Sequence, residues 1–542
     1  MRVKPVLISF VLVMGLLQAC TRQTASSKKV FNCNLDQALT SLDPAFARNQ
    51  YAEWCDNLLY NGLTQLSDSL EVKPCIAKSW EVTPDGRLYT FHLRSDVFFH
   101  DDARFAGGKG RKVVASDFVY SFGRLIDPAT ASSGAWIFNN KIESKKSFTA
   151  LNDSTFQVKL NKPFPPFLKL LTAQYCSVLP YEVVTFYGKD FRSHPVGTGP
   201  FAFKYWKEEE ILVLLKNPHY FEREKGHQLP YLDAVRFSFI RDKQTAFLEF
   251  LKKKLDFFSN IDGSYRDDIL TKTGHVQEKY KGKFVLASGP DLDTEYMGIL
   301  VDSTKDIVKY SPLRIKKIRQ AINYSIDRKK IVKYLQNSMG IPGTAGFIPQ
   351  GMPGFDARKV KGYDFNPAKA QKLLAEAGYP HGQGMSTITL YTSTTYRDLI
   401  EFIQGELEIQ GIHAILAVNP AASLREQISK STINFFRGSW VADYPDAENY
   451  LSLFYSHNKV PFGPNYTGFS NPGFDKLFEK AYYEPNDSLR YLLNRQMDNL
   501  IMEQAPVVIL YYAKLVNLRQ NDIHDMTINP LNILNLKRVR KD

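Results

Sequence analysis

Long apolar runs are almost absent from this chain. After Val6 to Leu17, no stretch supplies the ~18 uncharged apolar residues that a membrane-crossing helix needs, so the body is read as soluble. Cysteine is scarce, with five in 542 residues, and no Cys-x-x-Cys pair suggests a zinc site. The ten histidines are scattered without metal-ligand spacing. No HExxH, GxSxG, GxxxxGK[ST] or GxGxxG occurs, which argues against the common metallopeptidase, esterase and nucleotide-binding chemistries. Gly197-Thr198-Gly199-Pro200-Phe201 lacks the Lys and the following helix of a phosphate loop and reads as a turn closing onto a strand. The formal charge of +13 gathers into no long basic stripe, so no nucleic-acid partner is expected. Dispersed solvated charge accounts for it, with contact to an anionic membrane surface as the alternative. No repeat period and no long linker appear.

What is present begins at the N-terminus. Arg2 and Lys4 precede the short apolar run, and Leu17-Gln18-Ala19-Cys20 closes it. A basic start, a short apolar core and a small residue before the cut describe a secretory signal. The ending resembles a bacterial lipobox, with Gln18 bulkier than usual. Cys20 is therefore the expected lipidation site, and several acyl chains anchor stably at ~0.8 kcal/mol per buried CH₂. Thr21 to Lys29 is small, polar and basic and reads as a tether. An exported chain permits disulfides, but Cys33, Cys55, Cys75 and Cys176 allow three pairings, and free buried thiols are an equal reading.

The remaining residues exceed one hydrophobic core, so two or more lobes are expected. With 44% hydrophobic and 13% aromatic residues the chain reads as well packed. Strands are expected at Phe31 to Ala38, on both sides of the Pro84-Asp85-Gly86 turn, and at Ser154 to Leu160, Ile211 to Leu215, Ala234 to Ile240 and Pro506 to Tyr512. Ala52 to Leu59 reads as helical. A further helix, capped by Ser116, carries Phe118, Val119, Phe122 and Leu125 on one face. Others are expected at Ile315 to Tyr324, at Pro367 to Ala377 with Gly378 as C-cap, and at Leu399 to Gln410. Mixed elements without regular βαβ alternation give an α/β (α+β) fold class.

One constellation could bind a ligand: Arg437-Gly438-Ser439-Trp440-Val441-Ala442-Asp443-Tyr444-Pro445-Asp446, after the strand-like Ile433 to Phe436. A fixed carboxylate suits an ammonium, a guanidinium suits a carboxylate, and Trp440 offers a flat wall. The bland reading is an Asx-type turn around Pro445. A general acid/base pair of Asp443 and Asp446 would make a hydrolase, the remote alternative, with nothing to orient a nucleophile.

In chain order, several segments resemble the extracellular solute-binding protein family 5. They are Ser41-Leu42-Asp43-Pro44; Leu59 to Leu63; Ile76 to Val82 with Pro84-Asp85-Gly86; Tyr89 to Arg94; Phe99-His100-Asp101; Ala115 to Phe122; Gly197 to Phe201; Arg319 to Arg328; Leu373 to Tyr379; and Trp440 to Asn449. The resemblance spans the mature chain. It implies a periplasmic-binding-protein fold of two lobes joined by two crossing strands, near Phe284 to Ile299 and Pro506 to Tyr512, with an extra inserted subdomain in the first lobe. The expected division is signal peptide 1–19 and lipidated tether 20–29. Then come the lobe I core at 30–58, 180–285 and 508–542, its insertion at 59–179, and lobe II at 286–507.

The resemblance also implies a substrate-binding lipoprotein of an ABC importer, not an enzyme. It needs no cofactor and acts as a monomer with permease and ATPase subunits. Its short peptide ligand would meet Asp443, in Trp440-Val441-Ala442-Asp443, through the α-amino group, and Arg437 through a carboxylate. Gly438, Ala442, Tyr296, Asn49 and Gln50 would line the pocket, and Arg48 would favour an acidic or C-terminal group. A nickel chelate or haem is the alternative cargo on this fold.

Overall fold

The computed structural model describes residues 28–47, 49–259, 261, 263–461 and 463–542. The signal segment, Cys20, most of the tether and Arg48 lie outside the described residues. Strand β1 (Val30–Asn34) is shorter than the alternation suggests. The Asn34 side chain bonds both backbone groups of Ile240, at 2.9 and 2.8 Å, and so closes the ladder there. Helix α1 (Gln50–Leu59) starts earlier than expected because the Asn49 carboxamide accepts the Ala52 N–H at 3.0 Å.

The turn at Pro84-Asp85-Gly86 joins β2 (Ala77–Val82) to β3 (Leu88–Leu93), as the pattern predicts. Helix α2 (Ala115–Leu125) buries Phe118, Phe122 and Leu125. Its cap differs from the expectation: the Asp117 carboxylate, not Ser116, accepts the Val114 N–H at 2.9 Å. Strands β4 (Phe148–Asn152) and β5 (Thr155–Lys159) complete a sheet in the order β2-β3-β5-β4. Between this sheet and α2, the rings of Phe122, Phe138, Phe148 and Phe156 lie 5.0–5.5 Å apart. Each such buried ring contributes about 2 kcal/mol. A single helical turn, α3 (Phe167–Leu170), packs on the same core.

Strands β6 (Phe201–Lys207), β7 (Ile211–Lys216) and β8 (Ala234–Ser238) join β1 in the order β1-β8-β7-β6, with β1 and β8 parallel. Between β7 and β8 lies a small hairpin, Arg223–Glu224 against His227–Gln228. Lys225 and Gly226 both take positive φ there, the geometry of a tight two-residue hairpin.

The second half is built on one sheet. Its elements are β9 (Phe257–Phe258), β10 (Val285–Ile299), α4 (Lys316–Ser325), β11 (Gly340–Pro342), α5 (Pro367–Glu376), β12 (Ile388–Ser393), α6 (Arg397–Ile409), β13 (Ala414–Asn419), β14 (Phe435–Val441), α7 (Pro472–Tyr483), α8 (Asp487–Gln504) and β15 (Val507–Arg519). Strand order is β9-β15-β10-β14-β12-β13, with β11 on β15. The antiparallel pair β10 and β15 runs from Val285↔Arg519 to Gly298↔Val507, with a register shift between Pro290 and Thr294. Strand β15 outlasts the apolar run that ends at Tyr512, because its distal part is only half-buried and carries Lys514 and Asn517.

The first core gathers residues 31–257, takes in Tyr444, and returns to include Ile523, Leu534, Leu536 and Val539. Two further cores draw on residues from Leu292 to Tyr512, apart from Leu70. The long pair β10 and β15 joins the two regions. Cys33, Cys55, Cys75 and Cys176 are buried free thiols.

Candidate functional site

Strand β14 delivers the site. Its residues 435–441 pair antiparallel with β10, from Asp293↔Val441 to Ile299↔Phe435. On its other edge, Phe436 alone pairs with Tyr391 of β12. Beyond that point β14 has an open edge. The Ala442 N–H still donates to the Leu292 carbonyl at 2.9 Å. By the alternation of an antiparallel ladder, the backbone groups of Ser439 and Val441 therefore point to the open edge. Val441 is 57% exposed beside it.

The chain then turns, and Asn449 fixes the turn. Its Oδ1 accepts the Trp440 indole N–H at 2.9 Å and the Asp443 N–H at 3.3 Å, and its Nδ2 donates to Asp443 Oδ2 at 3.0 Å. Asn449 is buried, whereas Asp443 is exposed. The Asp443 carboxylate is nonetheless walled in on most sides. That burial lifts its pKa above the usual carboxylate range, and the Asn449 amide opposes the rise.

Asp443, Val441, Ala442 and Tyr444 form one wall of a cleft of about 330 Å³. Asn49, Gln50 and Glu53 from the first turn of α1 stand on the other side, with Trp136, Thr172 and Tyr175 beside them. Burial, and then the charge of Asp443, push the Glu53 carboxyl up to about 7. A carboxyl raised by burial and by the charge of a second carboxyl across an open cleft marks a place for a cation.

Other expected residues lie elsewhere. Trp440 is half-buried in the second core, where its N–H serves Asn449, and it does not line the cleft. Tyr296 is buried under Gly438, where a Cβ would come within 2.8 Å of the Tyr296 ring, so only glycine allows that approach. Arg437 was expected to meet a ligand carboxylate. It is instead paired with Glu295 at 2.5 Å and lies over the Tyr396 ring at 3.3 Å. The strand register explains this: Glu295 sits opposite Ser439, on the same face as Arg437. Asp446 is 1% exposed, with Lys169 at 2.9 Å and Arg490 also bonded to the same oxygen. Those cations hold its carboxyl below the usual range despite burial. It leaves the ligand cluster and becomes a structural ion.

Glu53 and Asn449 are the functional candidates that the sequence did not single out. Asn449 ended the quoted motif, but only the turn brings its amide onto Asp443. Nothing local marks Glu53, an ordinary polar position on an amphipathic helix.

Known proteins resemble the chain along nearly its whole length. The glutathione-binding protein GsiB of Shigella flexneri serotype 5b (strain 8401) is 24% identical over 528 residues, 96% of each chain. HbpA2 from Haemophilus parasuis superposes with a TM-score of 0.82 over 95% of this chain and 100% of its own, at 24% identity. The periplasmic binding protein DppA from Helicobacter pylori, solved in complex with the peptide STSA, gives 0.71 over 94% and 98%, also at 24% identity. These likenesses establish the periplasmic-binding-protein fold. Among the described residues no helix is long and apolar enough to cross a membrane. The family model for bacterial extracellular solute-binding proteins, family 5 Middle, matches residues 71–462. The chain belongs to the bacterial extracellular solute-binding proteins of family 5.

Proposed function

We propose that the chain captures short peptides for an ABC importer, holding the ligand's α-amino group between Asp443 and Glu53. The single observation behind this reading is the exposed Asp443 carboxylate, fixed by Asn449 and facing Glu53 beside the open edge of β14. An extended peptide adds to that edge through main-chain hydrogen bonds, with Ser439 and Val441 as partners. Asn49 and Gln50 border the opposite side. Arg437 acts by holding Glu295 in place and is not the primary carboxylate contact. The name of GsiB and the peptide bound to DppA support a peptide-like ligand.

The wider setting is part of the same reading. Cys20 is lipidated and anchors the protein outside a bacterial cell membrane. The monomer serves permease and ATPase subunits and performs no catalysis. Residues 30–58, 180–285 and 508–542 make lobe I, 59–179 its insertion and 286–507 lobe II. The separation of the first hydrophobic core from the second and third supports two lobes, with β15 packing on the lobe II side as far as Tyr512.

Calorimetry tests the anchor with trialanine and N-acetyl-trialanine. Acetylation and Asp443→Ala should each cost about 2–3 kcal/mol, roughly a hundredfold in Kd. An acetylated tripeptide that binds as well as the free one would remove the amino-anchor assignment.

A further inference from the structure

The loop that carries Asp443 reaches both lobes. Ala442 and Ala447 pack in the second core. Tyr444, between them, is 8% exposed and buried in the first core, where its ring stacks on Trp136 at 6.1 Å and 23°. Two residues on, Asp446 receives Lys169 of α3 from the first lobe at 2.9 Å and Arg490 of α8 from the second. The Lys169 side chain is 12% exposed and that of Asp446 1%. Nearby, Phe164 and Tyr482 of α7 meet at 4.9 Å. One set of contacts between the lobes thus lies beside the cleft, on the insertion and the Asp443 loop; another joins Arg266 and Lys272 to residues 334–338.

We propose that Lys169 is a positioning residue that latches the closed form through Asp446, and so sets how slowly a bound ligand leaves. The proposal rests on the function proposed above, with the two lobes closing around the ligand, but not on the ligand's identity. Its physical basis is the asymmetry of the triad. Arg490 lies on the same lobe as Asp446 and also pairs with Asp487, so Asp446 remains neutralised when the lobes part. Lys169 is the member lost on opening. A buried ion pair made in only one of two states biases the equilibrium toward that state. The gain is coupled to the ligand, because Asp446 N–H donates to the Tyr444 carbonyl within the loop that presents Asp443.

The test uses Lys169→Met, Lys169→Glu and Lys169→Arg in the full-length mature protein. Lys169→Met keeps the apolar stem and leaves Asp446 paired with Arg490, so folding should survive, which far-UV circular dichroism checks. Small-angle scattering with saturating trialanine should give radii of gyration that rise from wild type to Lys169→Met to Lys169→Glu. Lys169→Arg should match wild type. Stopped-flow release of trialanine should quicken about tenfold in Lys169→Met, with Lys169→Arg again near wild type. Equal radii and equal release rates for folded wild type and Lys169→Glu would overturn the latch. If wild type binds no trialanine, the peptide reading fails instead. The same series run with reduced glutathione, or without ligand, then decides the latch: the ordered radii support it, and equal radii overturn it.

Discussion

Glu53 and Asp443 act on one another across the cleft, and the sign of that interaction predicts a pH dependence. Glu53 sits at about 7 through burial and the Asp443 charge. A bound ammonium favours the ionised forms of both carboxyls, so binding should expel protons. Affinity for trialanine should therefore fall about tenfold as the pH drops from 8 to 6. Titration at pH 6.5 in buffers of different ionisation enthalpy should report net proton release, and Glu53→Gln should remove most of it. A flat pH profile in wild type would separate Glu53 from the ligand. At this scale the sequence offered Asp443 through its Trp-x-Ala-Asp setting, but not its partners. Pairing depends on which groups meet after folding, and Arg437 illustrates the point. The family resemblance implied a ligand contact for it, and the β10 register gave it Glu295.

Among the elements, helices with clear periodicity and local stop signals were the most legible. Helix α5 ends before Gly378, which takes φ +90° and has open space where a Cβ would project. Gly378→Ala therefore introduces backbone strain without a clash. It should cost about 1 kcal/mol, read as a lower denaturation midpoint with an unchanged slope. Strand ends were less legible. β1 stops at a side-chain bond to Ile240, far along the chain, and β15 continues past its apolar run because β10 and β9 supply partners on both edges. Hydrogen-bond partners supplied by remote strands leave no local periodic mark.

For the molecule as a whole, buried carboxyls dominate the acid side of stability. Burial pushes Glu53, Asp291, Glu448 and Asp498 each up to about 7. Asp498 accepts the Phe347 N–H at 2.7 Å, yet desolvation still outweighs that bond. With folded values above unfolded ones, the folded state holds more protons between about pH 4 and 7. Stability should decline as pH rises through that window, and ligand-free protein should melt about 5 °C higher at pH 5.5 than at pH 8. Differential scanning calorimetry checks this, and a midpoint that rises with pH would contradict the assignment.

The sequence by itself determined the mixed α/β class, most helices and hairpins, and the family resemblance. Those features rest on local periodicity, turn chemistry and contiguous motifs. Only the tertiary structure decided that Glu53 faces Asp443, that Asn449 holds the turn, that Arg437 and Asp446 are occupied, and that Lys169 reaches Asp446. Such pairings are set by burial and strand register between distant segments, and a charge has no assigned partner until folding removes its water.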